Sequence, residues 1–253
     1  MESFLKRGLV VGAFSLGSSI NLFAQDLEVY PGDEWLEISA ADAQVEQAKI
    51  DTLFDLSFED SATQGVVLIK NGLLIGERYA EGFSKDSYGT SWSMAKSFYA
   101  ALIGISIDRG EIDSLDDPVA KYLDYFNDER RDITLRDLLN MTSGLEFPKH
   151  EHENMFFSSD HLDYARNVGV EKEAGLLFEY NNVNSMLLAD ILLQATGTAA
   201  DTLLRERIFN KIGLDNVTLW QDAAGTPLTY CCVDTTARQY SRFGLLFSRS
   251  GNW

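Results

Sequence analysis

The chain has 253 residues, is 45% hydrophobic and carries a formal net charge of −18. That apolar fraction supports a sizeable packed core and excludes a wholly disordered chain. The negative balance repels phosphate backbones and anionic lipid, so nucleic acid and membrane surfaces are excluded as expected partners and small-molecule chemistry stays open.

Along the chain, Met1-Glu-Ser-Phe-Leu-Lys-Arg7 precedes an apolar run from Gly8 to Phe23 and then Ala24-Gln25. A basic start, an apolar stretch and a small residue predict a secretory signal over residues 1–24, too short and too rich in small residues for a membrane span. One domain is then expected over residues 25–253, secreted or periplasmic in a bacterium, with no membrane span once the signal is removed. Residues 41–56 place Val45, Ala48, Leu53 and Phe54 at roughly helical spacing. Gly65-Val-Val-Leu-Ile-Lys70 reads as a buried strand, and Asn71-Gly72 predicts a tight hairpin returning over Leu73 to Tyr79.

After Ser93 the pattern turns helical, with Met94, Phe98, Leu102 and Ile105 on one face and Arg109-Gly110 as a stop. Ser93 and Lys96 are three residues apart, on one face of a first helical turn, which brings an amine within reach of a hydroxyl. Burial and the positive end of the helix would both lower the lysine pKa and make it a base for the serine. The backbone N–H groups of the same turn suit an oxyanion. The spacing alone also fits an ordinary helix cap with a solvated lysine, and Ser3-Phe-Leu-Lys6 repeats it inside the predicted signal.

Further helices are expected over Thr134 to Met141, ending at Ser143-Gly144, over Val183 to Ala195, over Asp201 to Ile212 and over Thr235 to Ser248. No repeat or linker separates them, so the fold class is α/β: an α+β sandwich with an antiparallel sheet flanked by helices and a large, mostly helical insertion over about residues 97–224. Tyr180 and Asn182 stand just before one of these helices and can project from a loop into a cleft. A tyrosine beside a lysine ammonium can carry a proton to a leaving group. Tyr125-Phe-Asn127 has the same spacing but reads as a packing tyrosine at the end of an aromatic helical patch. The two cysteines, Cys231 and Cys232, are neighbours and are expected to be small buried hydrophobes, since a bond between neighbours is strained.

Together, Ser93-Met-Ala-Lys96, Ile133 to Leu145, Tyr180-Asn-Asn182 and the block Cys231 to Leu245 resemble the serine β-lactamase and penicillin-binding-protein superfamily. The resemblance covers nearly all of residues 60–253 and leans to its class C-like, family VIII esterase and 6-aminohexanoate-dimer hydrolase-like members. It implies Ser93 as acylated nucleophile, Lys96 as base, Tyr180 as proton relay and Asn182 as a substrate-contacting group. It further implies a small ester, amide or peptide substrate, with no metal and no other cofactor. A β-lactamase or D-Ala-D-Ala carboxypeptidase is the alternative within the family, and a penicillin-recognising protein without turnover another. The family's third motif, a Lys or His followed by a small residue and Gly on a late strand, has no counterpart, because Lys211-Ile-Gly213 sits at a helix end. The expectation is therefore a sequence lacking its C-terminal strands. A metallohydrolase built on His150, His152, Glu153 and His161 is the rival from another chemistry, without any helical pair of ligands four residues apart.

Overall fold

A computed structural model describes residues 28–146 and 154–253. The predicted signal over residues 1–24 lies outside the described residues, as do His150, His152 and Glu153. The first helix, α1, runs over Gln47–Ser57 and buries Ile50 and Phe54. It starts later than the spacing predicts, because Ala41 to Gln44 form a turn that ends with Gln44 at φ 55°. Leu53, expected on the buried face, is 38% exposed.

The hairpin forms as expected, with β1 over Gly65–Lys70 antiparallel to β2 over Leu73–Tyr79. Asn71 and Gly72 both take positive φ, 52° and 82°, the backbone that two-residue hairpin turns demand. Side chains alternate across the sheet. Val66 and Leu68 pack with Ile50 and Phe54 of α1, whereas Val67 and Ile69 pack with Trp35, Leu74 and Leu245 on the other face. Leu245 belongs to α10, Ala237–Ser248, so the hairpin is held between an early helix and a late one.

A second antiparallel sheet has the order β3-β5-β4, with β3 over Tyr88–Thr90, β4 over Thr218–Leu219 and β5 over Val233–Thr236. The sequence pattern predicts Thr235 and Thr236 in a helix. Both lie in β5 instead, where β-branched residues fit, and the Thr236 hydroxyl caps α10 by accepting from the Gln239 N–H at 3.3 Å. The fold is thus a mixed α/β sandwich with small antiparallel sheets.

Most of the helical mass lies between β3 and β4 in the chain. Helix α2 covers Ala95–Asp108, α3 Leu135–Leu139, α4 Asn154–Phe157 and α5 His161–Arg166. Helices α6 (Asn182–Met186) and α7 (Leu188–Thr196) follow one another and stop at Gly197 in the left-handed conformation. Helix α8 (Ala200–Leu204) passes through a π turn, Arg205–Phe209, into α9 (Asn210–Ile212), closed by Gly213. One apolar cluster joins them around Phe98, Leu102, Leu138, Ile191, Leu204 and Phe209. Met94 departs from expectation at 43% exposed, because the turn Trp92–Met94 is a tight 3₁₀ turn and the buried face of α2 begins only at Ala95. Tyr125 is not on a helix, and its hydroxyl donates to the buried carboxylate of Asp190 at 2.9 Å.

Candidate active site

Ser93 sits in the 3₁₀ turn that leads from β3 into α2. Its position is set from β5: the Ser91 N–H donates to the Val233 carbonyl at 2.8 Å, and the Val233 N–H donates to the Ser91 hydroxyl at 2.9 Å. Trp92 between them takes φ 45°, an uncommon backbone for a bulky residue, and projects with 60% of its surface exposed. One residue later the chain presents the Ser93 hydroxyl to an open cleft of about 300 Å³.

Lys96 Nζ lies 2.9 Å from the Ser93 hydroxyl oxygen and donates to the Tyr230 carbonyl at 2.7 Å. The nitrogen also lies 5.0 Å from the Tyr180 ring centre and 5.7 Å from that of Tyr230. Burial lowers the lysine pKa from its ordinary value, and the hydrogen bond and charge of Tyr180 only partly restore it. A neutral amine here donates one N–H to the Tyr230 carbonyl and keeps its lone pair for the serine proton. For Tyr180, burial pushes the phenol up, but hydrogen bonding with Ser93 and Lys96 and the lysine charge together outweigh it and leave the pKa lowered.

Tyr180 and Asn182 are delivered by a loop pinned to the end of α3. The Glu179 N–H donates to the Met141 carbonyl at 2.8 Å, and the Asn181 side-chain amide donates to the Leu145 carbonyl at 3.2 Å. Asn181 also caps α6 by accepting from the Val183 N–H at 2.9 Å. Ser143, read from the sequence as part of a helix stop, donates to Asn184 Oδ1 at 2.6 Å and so ties the same two loops. Asn182 lines the cleft beside Ser93, and its side-chain oxygen is buried without a hydrogen-bond partner among the described residues. Such an acceptor suits a donor brought by a ligand.

All four residues singled out in the sequence therefore converge: Ser93, Lys96 and Tyr180 on one another, Asn182 on the wall of their cleft. Sequence reasoning missed Tyr230, whose carbonyl holds Lys96, and the apolar wall of Trp92, Met155, Phe156 and Phe157. A main-chain acceptor carries no residue signature, so no signal pointed to Tyr230. Of the rival metal set only His161 lies among the described residues, buried with Nδ1 3.0 Å from the Tyr230 hydroxyl. Lys211 lies in α9 and is not among the residues that line the cleft. Cys231 and Cys232 are buried as expected, at 5% and 1% exposure, with their sulfur atoms placed against one another.

Residues 51–248 match the family model described as Beta-lactamase. The D-aminopeptidase of Brucella anthropi is 31% identical over 176 residues, which is 63% of this chain and 33% of that protein. Its counterpart from Brucella ovis is 30% identical over the same shares of both. Among solved structures, a Bacillus anthracis protein described as a 6-aminohexanoate-dimer hydrolase superposes with a TM-score of 0.70 at 24% identity, over 81% of this chain and 57% of that one. EstCE1, described as a hydrolase with promiscuous acyltransferase activity, gives 0.68 at 16% identity over 82% and 73%. These likenesses in structure speak to the fold, and the chain spans about a third of the length of the curated relatives it matches.

Proposed function

Because the chain belongs to the beta-lactamase family, we propose that it is a serine hydrolase that opens an ester or amide bond through an acyl-enzyme on Ser93. The observation that carries this reading is the 2.9 Å approach of Lys96 Nζ to the Ser93 hydroxyl, by a lysine whose pKa burial holds below its ordinary value. Lys96 takes the Ser93 proton as the hydroxyl oxygen attacks the carbonyl carbon. The resulting oxyanion is met by the backbone N–H of Ser93 itself. The proton passes by way of Tyr180 to the departing oxygen or nitrogen, and Asn182 offers its unpartnered oxygen to a donor on the substrate. Water then releases the acyl group along the same path in reverse.

An amide or peptide substrate is supported by the D-aminopeptidase relatives, and an ester fits the same acyl-enzyme chemistry on Ser93. The Lys6-Arg7 start and apolar run before Ala24 support export to the periplasm or beyond, and no helix among the described residues is long and apolar enough to cross a membrane. A fluorophosphonate probe followed by intact-mass measurement tests the assignment. One adduct is expected on the wild-type chain and none on Ser93→Ala. Equal labelling of both would remove Ser93 from the mechanism.

A further inference from the structure

The cleft in front of Ser93 carries apolar surface to which the reaction as proposed gives no task. Trp92, Met155, Phe156 and Phe157 line it beside Ser93 and Asn182, and no lining side chain among the described residues is charged. An uncharged lining stands out in a chain whose net charge is −18. Three of these side chains are open to solvent: Phe157 is 75% exposed, Trp92 60% and Phe156 36%. Single apolar residues scattered over a surface are ordinary, whereas a group of them gathered at one nucleophile fits an apolar group on the ligand.

The wall is held from the core. Met155 is 2% exposed and belongs to the main apolar cluster, so it anchors the short helix α4 that ends with the two phenylalanines. Phe156 and Phe157 meet edge to face with ring centres 5.5 Å apart, and the Phe156 ring stands 6.2 Å from that of the buried His161. His161 is tied in turn to the Tyr230 hydroxyl at 3.0 Å. Trp92 is presented by its φ of 45°, one residue before Ser93. An apolar group that enters the cleft therefore meets rings already in place, and little ordering entropy is lost on binding.

We propose that this cleft receives the acyl half of the substrate and selects acyl groups that end in a large uncharged apolar group, an aromatic ring above all, with Phe156 and Phe157 as the specificity-determining residues. The inference rests on the acyl-enzyme at Ser93 and on Tyr180 as the proton relay. The leaving group takes its proton from Tyr180, and neither Tyr180 nor Lys96 is among the residues that line the cleft. The leaving group thus departs outside it, and the cleft takes the part that stays bonded to Ser93. Its volume of about 300 Å³ lies at the lower end of the range for small-ligand sites, about 300–1,000 Å³, enough for a ring on a short linker. One methylene in such a pocket is worth roughly 10- to 200-fold in kcat/KM, so a ring should be sorted from a methyl group readily.

The test keeps the leaving group constant and changes the acyl group. Turnover of p-nitrophenyl hydrocinnamate and of p-nitrophenyl acetate is compared as kcat/KM, each divided by the rate of the same ester with hydroxide. The ratio should favour the aromatic acyl group by at least about tenfold. Joint replacement by Phe156→Ala and Phe157→Ala should abolish that preference, and Phe157→Ala alone, at a side chain 75% exposed and so outside the core, should remove part of it. A wild-type ratio near one, a preference that survives the joint replacement, or variants that slow both esters by the same factor would each overturn the proposal, the last by placing the rings against the leaving group. Hydrolysis that Ser93→Ala leaves unchanged means instead that the serine-hydrolase reading has failed, and binding then decides the pocket alone. By isothermal titration the Ser93→Ala chain should bind hydrocinnamamide at least about tenfold more tightly than acetamide, and Phe156→Ala with Phe157→Ala should erase the difference. Equal affinities, or a difference that the two replacements leave intact, overturn it.

Discussion

Lys96 has a testable titration. Burial lowers its pKa from 10.5, while the hydrogen bond and charge of Tyr180 raise it. The base form of the lysine is the neutral one, so acylation of Ser93 should rise with pH through a midpoint below 10.5. Removing the phenol hydroxyl in Tyr180→Phe deletes the influence that raises the pKa, and the rising limb should move to lower pH even as the rate falls. Stopped-flow capture of a fluorophosphonate across pH measures both. A limb that stays where it is would show that Tyr180 does not act on Lys96. Lys96→Ala should lower the capture rate by about 10²- to 10⁴-fold, the ordinary contribution of a general base, and near-normal capture would place the base elsewhere.

Among the elements, the turn after α3 decides where Tyr180 and Asn182 stand. Gly144 has φ 71°, and a Cβ there would lie 2.0 Å from the Lys172 carbonyl oxygen, whereas Gly110 has φ 72° with nothing within 4 Å of such a Cβ. Gly110→Ala should cost only the left-handed backbone penalty of about 1–2 kcal/mol. Gly144→Ala adds a clash worth about 1–3 kcal/mol more, and it pushes away the segment that Gly144 holds through the N–H groups of Glu171 and Lys172. Urea unfolding should rank the two accordingly, and equal losses would refute the role given to this contact. The same elements show what a sequence conveys. Asn71-Gly72 announced its hairpin because a two-residue turn with positive φ has few residue solutions. Ser93, Lys96, Tyr180 and Asn182 were legible because their chemistry resides in side chains at short spacings. The later start of α1, the exposure of Met94 and the strand at Thr235 and Thr236 were not, because local spacing does not report a 3₁₀ turn or a long-range partner such as Tyr88 or Gly89. The carbonyl of Tyr230 was hidden for a stronger reason, since any residue could supply it.

For the whole molecule, 21 basic residues face 39 acidic ones, so a cation that joins distant segments matters more than its number suggests. Arg238 at the start of α10 donates from Nε to Glu77 Oε2 and from Nη2 to Glu77 Oε1, both at 2.7 Å, and from Nη2 to Glu37 at 2.8 Å. This fork fastens the last helix to the hairpin, and with it the strand β5 that positions Ser91 and the Lys96 carbonyl partner. The Arg238 side chain is 13% exposed and that of Glu77 23%, while Glu37 at 63% adds little. Hydrogen bonding to Arg238 is the largest influence on Glu77 and holds its pKa below 4.5 against the opposing effect of burial. A carboxylate with a lowered folded pKa contributes stability that is complete above its unfolded value of 4.5 and is lost as pH falls through the folded one. Arg238→Met keeps the apolar stem and removes the charge, leaving Glu77 partly buried without its partner. Near pH 7 the variant should be less stable by about 2–4 kcal/mol, and near pH 3 the gap should narrow as protonation of Glu77 removes the same interaction from the wild type. Urea unfolding at both pH values measures the gap directly. A loss that stays constant with pH would assign Arg238 to packing, and the tie between hairpin and helix would then be apolar, through Trp35, Leu74 and Leu245 alone.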